Sequence, residues 1–425
     1  MALKLPHTLT RRGFVAGAAA AAASAAAAGA LGGCNDVSPQ EEITAKVQAQ
    51  FPRAQVEYLS VDPTQVLAHT DMAMHEGIDY LRETHNFELP LGSLVHQSSN
   101  THALVKAPGA SYNALIRLGF ADFEAGTFTP ILGQALGALE DYVIYEARAS
   151  SQAIAWVECN MVHGFWRVYA TLLADGTANE EIMQQAQLLD SGVGTHVPPL
   201  LAVSDRKVYW TVMPDPTGTA STEDSYLKAV DFSKSSQATG IEPQIVYTSH
   251  GRMITTPIVS GDMLTFVPRV DTGSVYYQLT TMDMRNDEIK NISILPPSVR
   301  VSDAVWLESG FAFGIEANYD YALGLSLFGT YLQLGNGQYL YVNKVPTSAS
   351  LRMKSLTYVK STKNVLGLDP QSGTAVIVGT LQDCVDYGDV LAGAGLQDRL
   401  VVFTTVTSRI GLELGRCQVR VFDPY

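Results

Sequence analysis

Short apolar runs alternate with polar turns along most of the chain, in the pattern of β-strands. Two segments show one unit clearly: PPLLAVSDRKVYWTVMPDPTGT (198–219) and TPIVSGDMLTFVPRVDTGS (256–274). In each, Pro opens an apolar strand, a Ser and Asp turn follows, an aromatic strand comes next, and Thr-Gly ends a hairpin. KNVLGLDPQSGTAVIVGTL (363–381) repeats the last part. Proline fixes φ and glycine permits positive φ, so the polar stretches predict turns.

This unit recurs along the chain at intervals of 48–55 residues, with a last interval of 35 residues. The second strand of each unit starts at His102, Ile154, Val208, Met263, Phe311, Val365 and Leu400. Four short strands at this spacing are typical of a propeller blade, and a β-sandwich array would not keep one strand order so long. We therefore predict an all-β fold, a seven-bladed β-propeller of four-stranded blades over residues 54–425. Eight blades are the alternative if residues 64–92 hold another partial blade.

A strand near the N-terminus is predicted to close the ring. AQVEYLSVD (54–62) lies outside the repeated units, and CQVRVFDPY (417–425) is the third strand of the last one. Their pairing would remove two exposed sheet edges and complete the last blade. Residues 64–92 are then predicted to form an irregular or helical excursion, and residues 34–53 a tether with a short helix.

Aromatic residues recur at one place in the second strands: Trp156, Trp210, Phe266, Phe313 and Phe403. The recurrence predicts packing between neighbouring blades, where each side chain would bury apolar area worth ~2–3 kcal/mol.

The first 34 residues carry the features of an export signal. TRRGFV, with Arg11, Arg12 and Phe14, resembles the twin-arginine consensus, and an Ala- and Gly-rich run follows over residues 16–33. LGGC (31–34) resembles a lipobox whose Cys34 receives the lipid. We predict a bacterial lipoprotein with a signal peptide over residues 1–33, tethered to the outer face of the cytoplasmic membrane. An uncleaved membrane anchor is the alternative, although alanine gives the run little insertion energy.

Charge and cysteine content narrow the classes of partner. Without residues 1–33, 25 Lys and Arg face 42 Asp and Glu, a formal net charge of −17. Nucleic acid and anionic headgroups are poor partners for such a surface. Besides Cys34, three cysteines allow one disulfide at most, and Cys384 and Cys417 are the favoured pair because Cys159 lies in a predicted buried strand.

The strands resemble those of the quinoprotein-type (PQQ-like) repeat family. TPIVSGDMLTF and YLKAVDF carry the resemblance. The family includes quinone-dependent dehydrogenases and non-catalytic lipoprotein scaffolds. Its dehydrogenases have tryptophan-docking motifs, calcium-binding carboxylates and often adjacent cysteines. Here the four Trp lie mostly inside predicted strands and no cysteines are adjacent, so the resemblance implies the non-catalytic branch.

Candidate binding residues are few. His163, His196 and His250 lie near strand entries or hairpins, where surface histidines are the other interpretation. Tyr319, Tyr321 and Tyr339 belong to an irregular fifth unit and suggest an interface. Asp383, Asp386 and Asp389 are candidate calcium ligands, but their spacing lacks the alternation of a calcium loop, and a solvated acidic loop is the other interpretation. We expect no bound cofactor.

These features favour a binding or assembly scaffold for a protein or small ligand, built as a monomeric domain. Neither a Gly-x-Ser-x-Gly elbow nor a phosphate-binding glycine loop is present in the sequence, so an enzyme is disfavoured. The alternative is an extracytoplasmic hydrolase, lyase or quinone-dependent oxidoreductase with its site in the central funnel.

Overall fold

The computed structural model of this chain describes most of the sequence after residue 37. The described ranges are 38–111, 114–193, 197–213, 223–234, 242–253, 255–272, 275–297, 299–318, 328–335, 337–343, 349–384, 388–407 and 415–425. Within them the strands form seven hydrogen-bonded sheets. No helix in these ranges is long and apolar enough to cross a membrane.

Residues 38–90 form a helix and four strands. Helix α1 spans Pro39–Gln50 and begins with a capping box, in which Ser38 and Glu41 each accept a backbone N–H of the other. The strands are β1 (Gln55–Tyr58), β2 (Val66–Ala68), β3 (Ala73–Glu76) and β4 (Leu81–Pro90). Short 3-10 helices at Pro63–Gln65, His69–Asp71 and Gly77–Asp79 connect these strands.

The remaining strands form groups that define the sheets in chain order. The first sheet contains β5 (Leu94–Gln97), β6 (His102–Ser111), β7 (Ala114–Asp122) and β8 (Thr127–Leu132). The second contains β9 (Tyr142–Ala149), β10 (Ala153–Asn160), β11 (Phe165–Leu172) and β12 (Gln187–Val193). The third contains β13 (Leu201–Ser204), β14 (Lys207–Val212), β15 (Ser225–Asp231) and β16 (Gln244–Ser249).

The fourth sheet contains β17 (Ile258–Ser260), β18 (Met263–Phe266), β19 (Gln278–Asp283) and β20 (Glu288–Ile294). The fifth contains β21 (Val299–Leu307), β22 (Gly310–Asn318), β23 (Gly329–Gln333) and β24 (Tyr339–Asn343). The sixth contains β25 (Leu351–Met353), β26 (Leu356–Lys360), β27 (Val365–Asp369) and β28 (Thr374–Val378). Four further strands are β29 (Val390–Leu391), β30 (Gly395–Leu396), β31 (Leu400–Val406) and β32 (Arg416–Pro424). Helix α2 (Glu180–Gln184) and 3-10 helices at Ala138–Glu140 and Phe232–Lys234 lie in connections.

Each sheet packs against the next through a buried apolar cluster, and the last cluster joins the seventh sheet to the first. Trp156, Trp210, Phe266 and Phe313 lie in four of these clusters, and Phe403 packs against a fifth. The predicted packing of the recurrent aromatics is therefore confirmed. Sheets that succeed one another in a closed ring form a β-propeller, so the all-β propeller class is confirmed as well.

The predicted closure of the ring is wrong. β1, within the segment 54–62, pairs in parallel with β20 of the fourth sheet. The strand beside β32 is instead β4, which runs antiparallel to it from Leu81 opposite Pro424 to Pro90 opposite Arg416. β4 is stabilised beside β32 because its residues Phe87 and Leu89 pack in the apolar cluster between the seventh and first sheets. Residues 81–90, predicted to be part of an excursion, are therefore a regular strand.

The predicted uniform architecture of seven four-stranded blades is also wrong. β1, β2 and β3 add a parallel outer strand to the fourth, fifth and sixth sheets. The sixth sheet gains β30 beside β25 as well, and the seventh is built from β29, β31, β32 and β4. The N-terminal segment thus covers the outer edges of three successive sheets before it completes the next, which protects those edges from pairing with other chains.

The predicted disulfide is not formed, because Cys384 and Cys417 both have free thiols. Cys384 forms a β-bridge with Val406, whereas Cys417 lies opposite Thr405 on the other side of β31. One strand therefore separates them. Neighbouring strands lie about 4.8 Å apart, so two residues on either side of one strand are separated by about twice that distance. The Cα–Cα distance therefore exceeds the ~7 Å limit of a disulfide.

Candidate functional site

The strand directions give the ring two different ends. Within each sheet, neighbouring strands of the repeated unit are antiparallel. The turns from first to second strand therefore all lie at one end, which we call the turn end. The hairpins from second to third strand, and the connections between sheets, lie at the opposite end, which we call the loop end.

The turn end contains four tight turns around the mouth of the channel. Each links the inner strand of a sheet to the second strand through two residues, and the first of these is left-handed. The left-handed residues of the four turns are Asp205, Gly261, Glu308 and Lys354, with φ between 46° and 57°. Such residues match the twist of a two-residue hairpin. The charged side chains of Glu308 and Lys354 are therefore held at the rim.

Residues 392–397, which we call the central segment, cross the channel of the ring. Gln97 of the first sheet donates its backbone N–H to the Ala392 carbonyl at 2.9 Å. The Gly395 and Gln397 N–H groups donate to the carbonyls of Ser350 and Arg352 in the sixth sheet at 3.0 and 2.9 Å. The same segment lies against β17 of the fourth sheet, on the far side of the ring. The chain's own backbone therefore crosses the channel at this level.

Two glycines make this crossing sterically possible. Gly395 has a φ of +70°, and a Cβ there would lie 2.6 Å from the Val259 carbonyl oxygen and 2.8 Å from Ser260 Cβ. A Cβ on Gly393 would lie 2.6 Å from Gln97 Oε1. The backbone of the fourth sheet thus leaves no room for a side chain at residue 395.

A buried ion pair anchors the start of the central segment. The fully buried Asp389 accepts a hydrogen bond from Arg420 Nη2, which also donates to the Gly379 carbonyl at 2.7 Å. Burial raises the pKa of Asp389 to about 6, against the opposing effect of Arg420. Burial also lowers the pKa of Lys360, a neighbouring cation, to about 8.

A second ionic cluster joins the inner strands of the first and second sheets. Glu146 forms ion pairs with Arg148 and with Lys106, whose Nζ is 3.6 Å from Glu146 Oε2. Arg148 Nη1 is 3.1 Å from His96 Nε2. Burial, followed by the charges of Arg148 and Lys106, holds the pKa of His96 well below its usual value. His96 is therefore a neutral acceptor, and the cluster fixes the strand that leads into Gln97.

A cavity of about 350 Å³ opens at the turn end beside the central segment. Turns of the first, fifth and sixth sheets and the end of the central segment contribute its walls. The lining residues are Asn100, Glu308, Arg352, Lys354, Leu396, Gln397 and Asp398. These described residues include carboxylates, cations and amides, but no Ser, Thr, Cys or His.

Charged groups in this cavity are paired with one another, with a side-chain amide or with the backbone. Arg352 Nη2 lies 3.5 Å from Glu308 Oε2, and Asn100 Nδ2 donates to Asp398 Oδ2 at 2.6 Å. Lys354 Nζ donates to the Tyr425 carbonyl at 3.0 Å. Because a guanidinium has five N–H donors and an ammonium three, donors remain for a bound molecule. The cavity suits a polar ligand that carries both signs of charge.

The structure does not bring the predicted histidines together. His163 lies at the loop end in the hairpin between β10 and β11, with its ring centroid 6.0 Å from that of Phe165. His250 comes directly after β16, and its Nδ1 lies 3.0 Å from Asp224 Oδ1 of the same sheet. Each contact stays within one sheet, and His196 lies outside the described residues.

Tyr339 is a core residue, so its assignment to an interface is wrong. It lies in β24, between β23 and β2, and is buried in the cluster joining the fourth and fifth sheets. Burial, followed by the charge of Glu57, raises its pKa. The added outer strand β2 covers this position, which the sequence pattern did not predict. Tyr319 and Tyr321 lie outside the described residues.

The candidate calcium ligands do not form a cluster in the described part of the chain. Asp389 is paired with Arg420, Asp383 lies in a turn, and Asp386 is outside the described ranges. Those ranges contain no group of three or more His, Cys, Asp or Glu placed to hold a metal ion.

The central segment and both ionic clusters were not predicted from the sequence. The segment LAGAGLQD (391–398) gave a signal, since its small residues are unusual next to apolar strands. Lys106 and Glu146 gave another, as charges inside otherwise apolar strands. Neither signal identifies the partner, because the contacts join residues from different sheets that are far apart in sequence.

No protein-family model and no curated protein matches the sequence. Similar solved structures include one from a study of two prolyl endopeptidases, with 12% identity over 86% of this chain and 49% of that one, at a TM-score of 0.48. The β-propeller domain of the Trilobed protease from Pyrococcus furiosus has 10% sequence identity over 78% of this chain and 98% of that domain, at a TM-score of 0.47. BamB from Moraxella catarrhalis has 13% sequence identity over 81% of this chain and 99% of that one, at a TM-score of 0.37.

This chain spans about half the length of the prolyl endopeptidase and puromycin hydrolase structures that it matches. At these identities and scores the likeness concerns the fold alone. The activities of those proteins therefore do not transfer to this chain.

Proposed function

We propose that this protein is a lipid-tethered extracytoplasmic binding or assembly scaffold that holds a polar partner at the turn end. The central segment is the observation that carries the proposal. Because it crosses the channel, a partner can bind beside it in the polar cavity at the turn end. A binding site there needs no catalytic group.

The enzyme alternative is less well supported. It calls for titratable groups from different sheets that meet over an open funnel. The carboxylates of the two ionic clusters, on Glu146 and Asp389, are largely and fully buried respectively, and they are already paired with Arg148 and Arg420. The cavity at the turn end has carboxylates but no hydroxyl, thiol or imidazole among its described lining residues.

The charges of the cavity suggest what it binds. Arg352 and Lys354 would face a carboxylate or carbonyl of the partner, and Glu308 and Asp398 an amine or N–H group. A polypeptide segment or a small zwitterionic ligand has this chemistry. Nucleic acid does not, since two cations beside two carboxylates give no positive surface.

Photo-crosslinking tests the binding surface. A photoreactive amino acid at Asn100, on the cavity rim, is expected to give a discrete adduct in the native cell envelope. Arg352→Glu should abolish that adduct by placing two carboxylates together. Arg300→Glu is the matched control, because it breaks the exposed Arg300–Glu316 ion pair at the loop end. Loss of the adduct in both variants, or absence of any adduct, would argue against the proposal.

Metabolic labelling tests the tether. We expect labelled palmitate on the wild-type protein and none on a Cys34→Ala variant. Label that persists in Cys34→Ala would contradict lipidation at this residue.

A further inference from the structure

In the described part of the chain, exposed large apolar side chains are concentrated at the loop end. Six of them on the first two sheets form what we call the apolar patch: Leu115, Leu139, Met161, Val162, Phe165 and Val193. Val275 and Phe328 lie at the same end of the fourth and fifth sheets. The cavity rim at the turn end is polar by contrast. A large apolar surface on one end marks a contact with a protein or a membrane.

Fixed backbone holds much of the patch in one place. Phe165 and Val193 are direct neighbours across β11 and β12. Asn160 Oδ1 accepts the N–H groups of Val162 and His163 at 3.1 and 3.0 Å, which sets the hairpin. Asn160 Nδ2 donates to the Glu140 carbonyl at 2.8 Å, which brings the turn containing Leu139 beside it.

Contacts along helix α1 show which end the tether leaves from. Lys46 Nζ lies 3.6 Å from Asp271 Oδ2, in the connection between β18 and β19 at the loop end. Arg53 Nη1 lies 3.3 Å from Glu288 Oε1, where β20 starts at the turn end. The chain therefore descends from the loop end to the turn end, and Ser38 lies at the loop end.

Cys34 precedes Ser38 by four residues, which span at most about 14 Å when extended. A lipid on Cys34 would hold the loop end, with its apolar side chains, close to the bilayer. The net charge of −17 after residue 33 disfavours anionic headgroups, so apolar contact is what remains to bind the surface.

We infer that the loop end faces the membrane and that the apolar patch enters the headgroup region of the bilayer. The inference rests on the lipid tether of the proposed function. In this orientation the cavity at the turn end faces away from the membrane, where a partner can reach it.

Depth-dependent quenching tests this orientation. The lipidated protein is purified from membranes and reconstituted into phosphatidylcholine vesicles containing spin-labelled lipid. An environment-sensitive fluorophore is placed at Val162→Cys or, as the control, at Ile245→Cys, which is also exposed but lies where β16 starts at the turn end. Both variants also carry Cys384→Ser, which removes the one partly exposed thiol among the described residues. Cys159 and Cys417 are buried and can stay. We expect quenching at residue 162 to exceed that at residue 245 by at least about fivefold.

Equal quenching at the two sites, or stronger quenching at residue 245, overturns the inference. A blue shift at residue 162 that grows with protein concentration in detergent assigns the patch to a second copy of the chain, and overturns it too. Protein that does not bind to the vesicles also overturns the inference. If palmitate is found on Cys34 while quenching is equal, the orientation fails and the proposed function stands.

Discussion

At residue 395 a hydrogen atom in place of a side chain lets the central segment cross the ring. Gly373 has nearly the same φ, +68° against +70°. Around Gly373, however, an added Cβ would meet no atom within 4 Å. Comparing alanine substitutions at Gly395 and Gly373 therefore separates the free-energy cost of a left-handed alanine from the added cost of steric overlap.

We expect Gly395→Ala to lower the free energy of unfolding by about 2–4 kcal/mol, because the Val259 carbonyl blocks the added carbon. Gly373→Ala should cost about 1 kcal/mol, from the left-handed conformation alone. Urea unfolding of both variants measures the difference. Equal losses would show that the central segment does not lie against the fourth sheet.

Asp389 makes stability depend on pH in a direction opposite to that of a salt-bridged surface carboxylate. Burial raises its pKa in the folded protein from 3.8 to about 6. Between these values the folded state holds a proton that the unfolded chain has released. The contribution of this residue to the free energy of unfolding therefore grows as pH falls from 7 to 4, and is lost as pH rises through 6.

Asp389→Asn removes this titration while keeping the shape. Measured relative to the variant, the wild-type free energy of unfolding should rise by about 2 kcal/mol between pH 7 and pH 4. Denaturant unfolding of both proteins at several pH values gives this difference. A difference that does not change with pH would mean that Asp389 stays ionised in the folded protein.

At the residue scale, the sequence predicted the core better than the polar contacts. Trp156 and Trp210 were placed correctly because recurrence at one strand position has a single simple cause, packing between sheets. Asp389 was interpreted as part of an acidic loop, since its partner Arg420 is distant in sequence. Pairings of this kind depend on the strand order within a sheet, since Asp389 directly precedes β29 and Arg420 lies in β32 of the same sheet.

At the element scale, the sequence predicted the strands but not the strand that completes the last sheet. The segment 54–62 alternates apolar and polar residues clearly, which favoured it. In LRETHNFELP (81–90) only Leu81, Phe87 and Leu89 are buried apolar positions. An outer strand with one buried face has a weak pattern, so its pairing was hidden.

Two substitutions compare the closing strand with an added outer strand. Phe87→Ala in β4 should lower the free energy of unfolding by about 3 kcal/mol, because it empties part of the cluster between the seventh and first sheets. Met74→Ala in β3 should change it by less than about 0.5 kcal/mol, because Met74 is exposed. Similar losses from both, measured by thermal unfolding, would contradict the role assigned to β4.

At the scale of the whole molecule, long-range closure bears on the export route. β4 and β32 pair across most of the length of the chain, and contacts so distant in sequence form slowly. The twin-arginine route carries folded chains. We expect Arg11-Arg12→Lys-Lys with a general secretory signal to give little folded protein outside the cytoplasm, measured by protease resistance. A normal yield would refute this reason for the signal, which lies outside the described residues.

The propeller class could be predicted from the repeat, whereas the difference between the two ends could not. Met161 and Val162 look like an ordinary hairpin in the sequence, and Arg352 and Lys354 like an ordinary polar turn. Only the direction of each strand assigns the first pair to the loop end and the second to the turn end. An apolar end and a polar end are properties of the assembled ring.

The two ends of the ring have separate roles in the proposed function: the loop end meets the bilayer and the turn end meets a partner. Photoreactive residues at Val162 and at Asn100, activated in the native envelope and analysed by mass spectrometry, test both halves together. We predict phospholipid adducts from Val162 and polypeptide or small-ligand adducts from Asn100. Protein adducts from Val162 with phospholipid adducts from Asn100 would contradict the orientation and the function built on it.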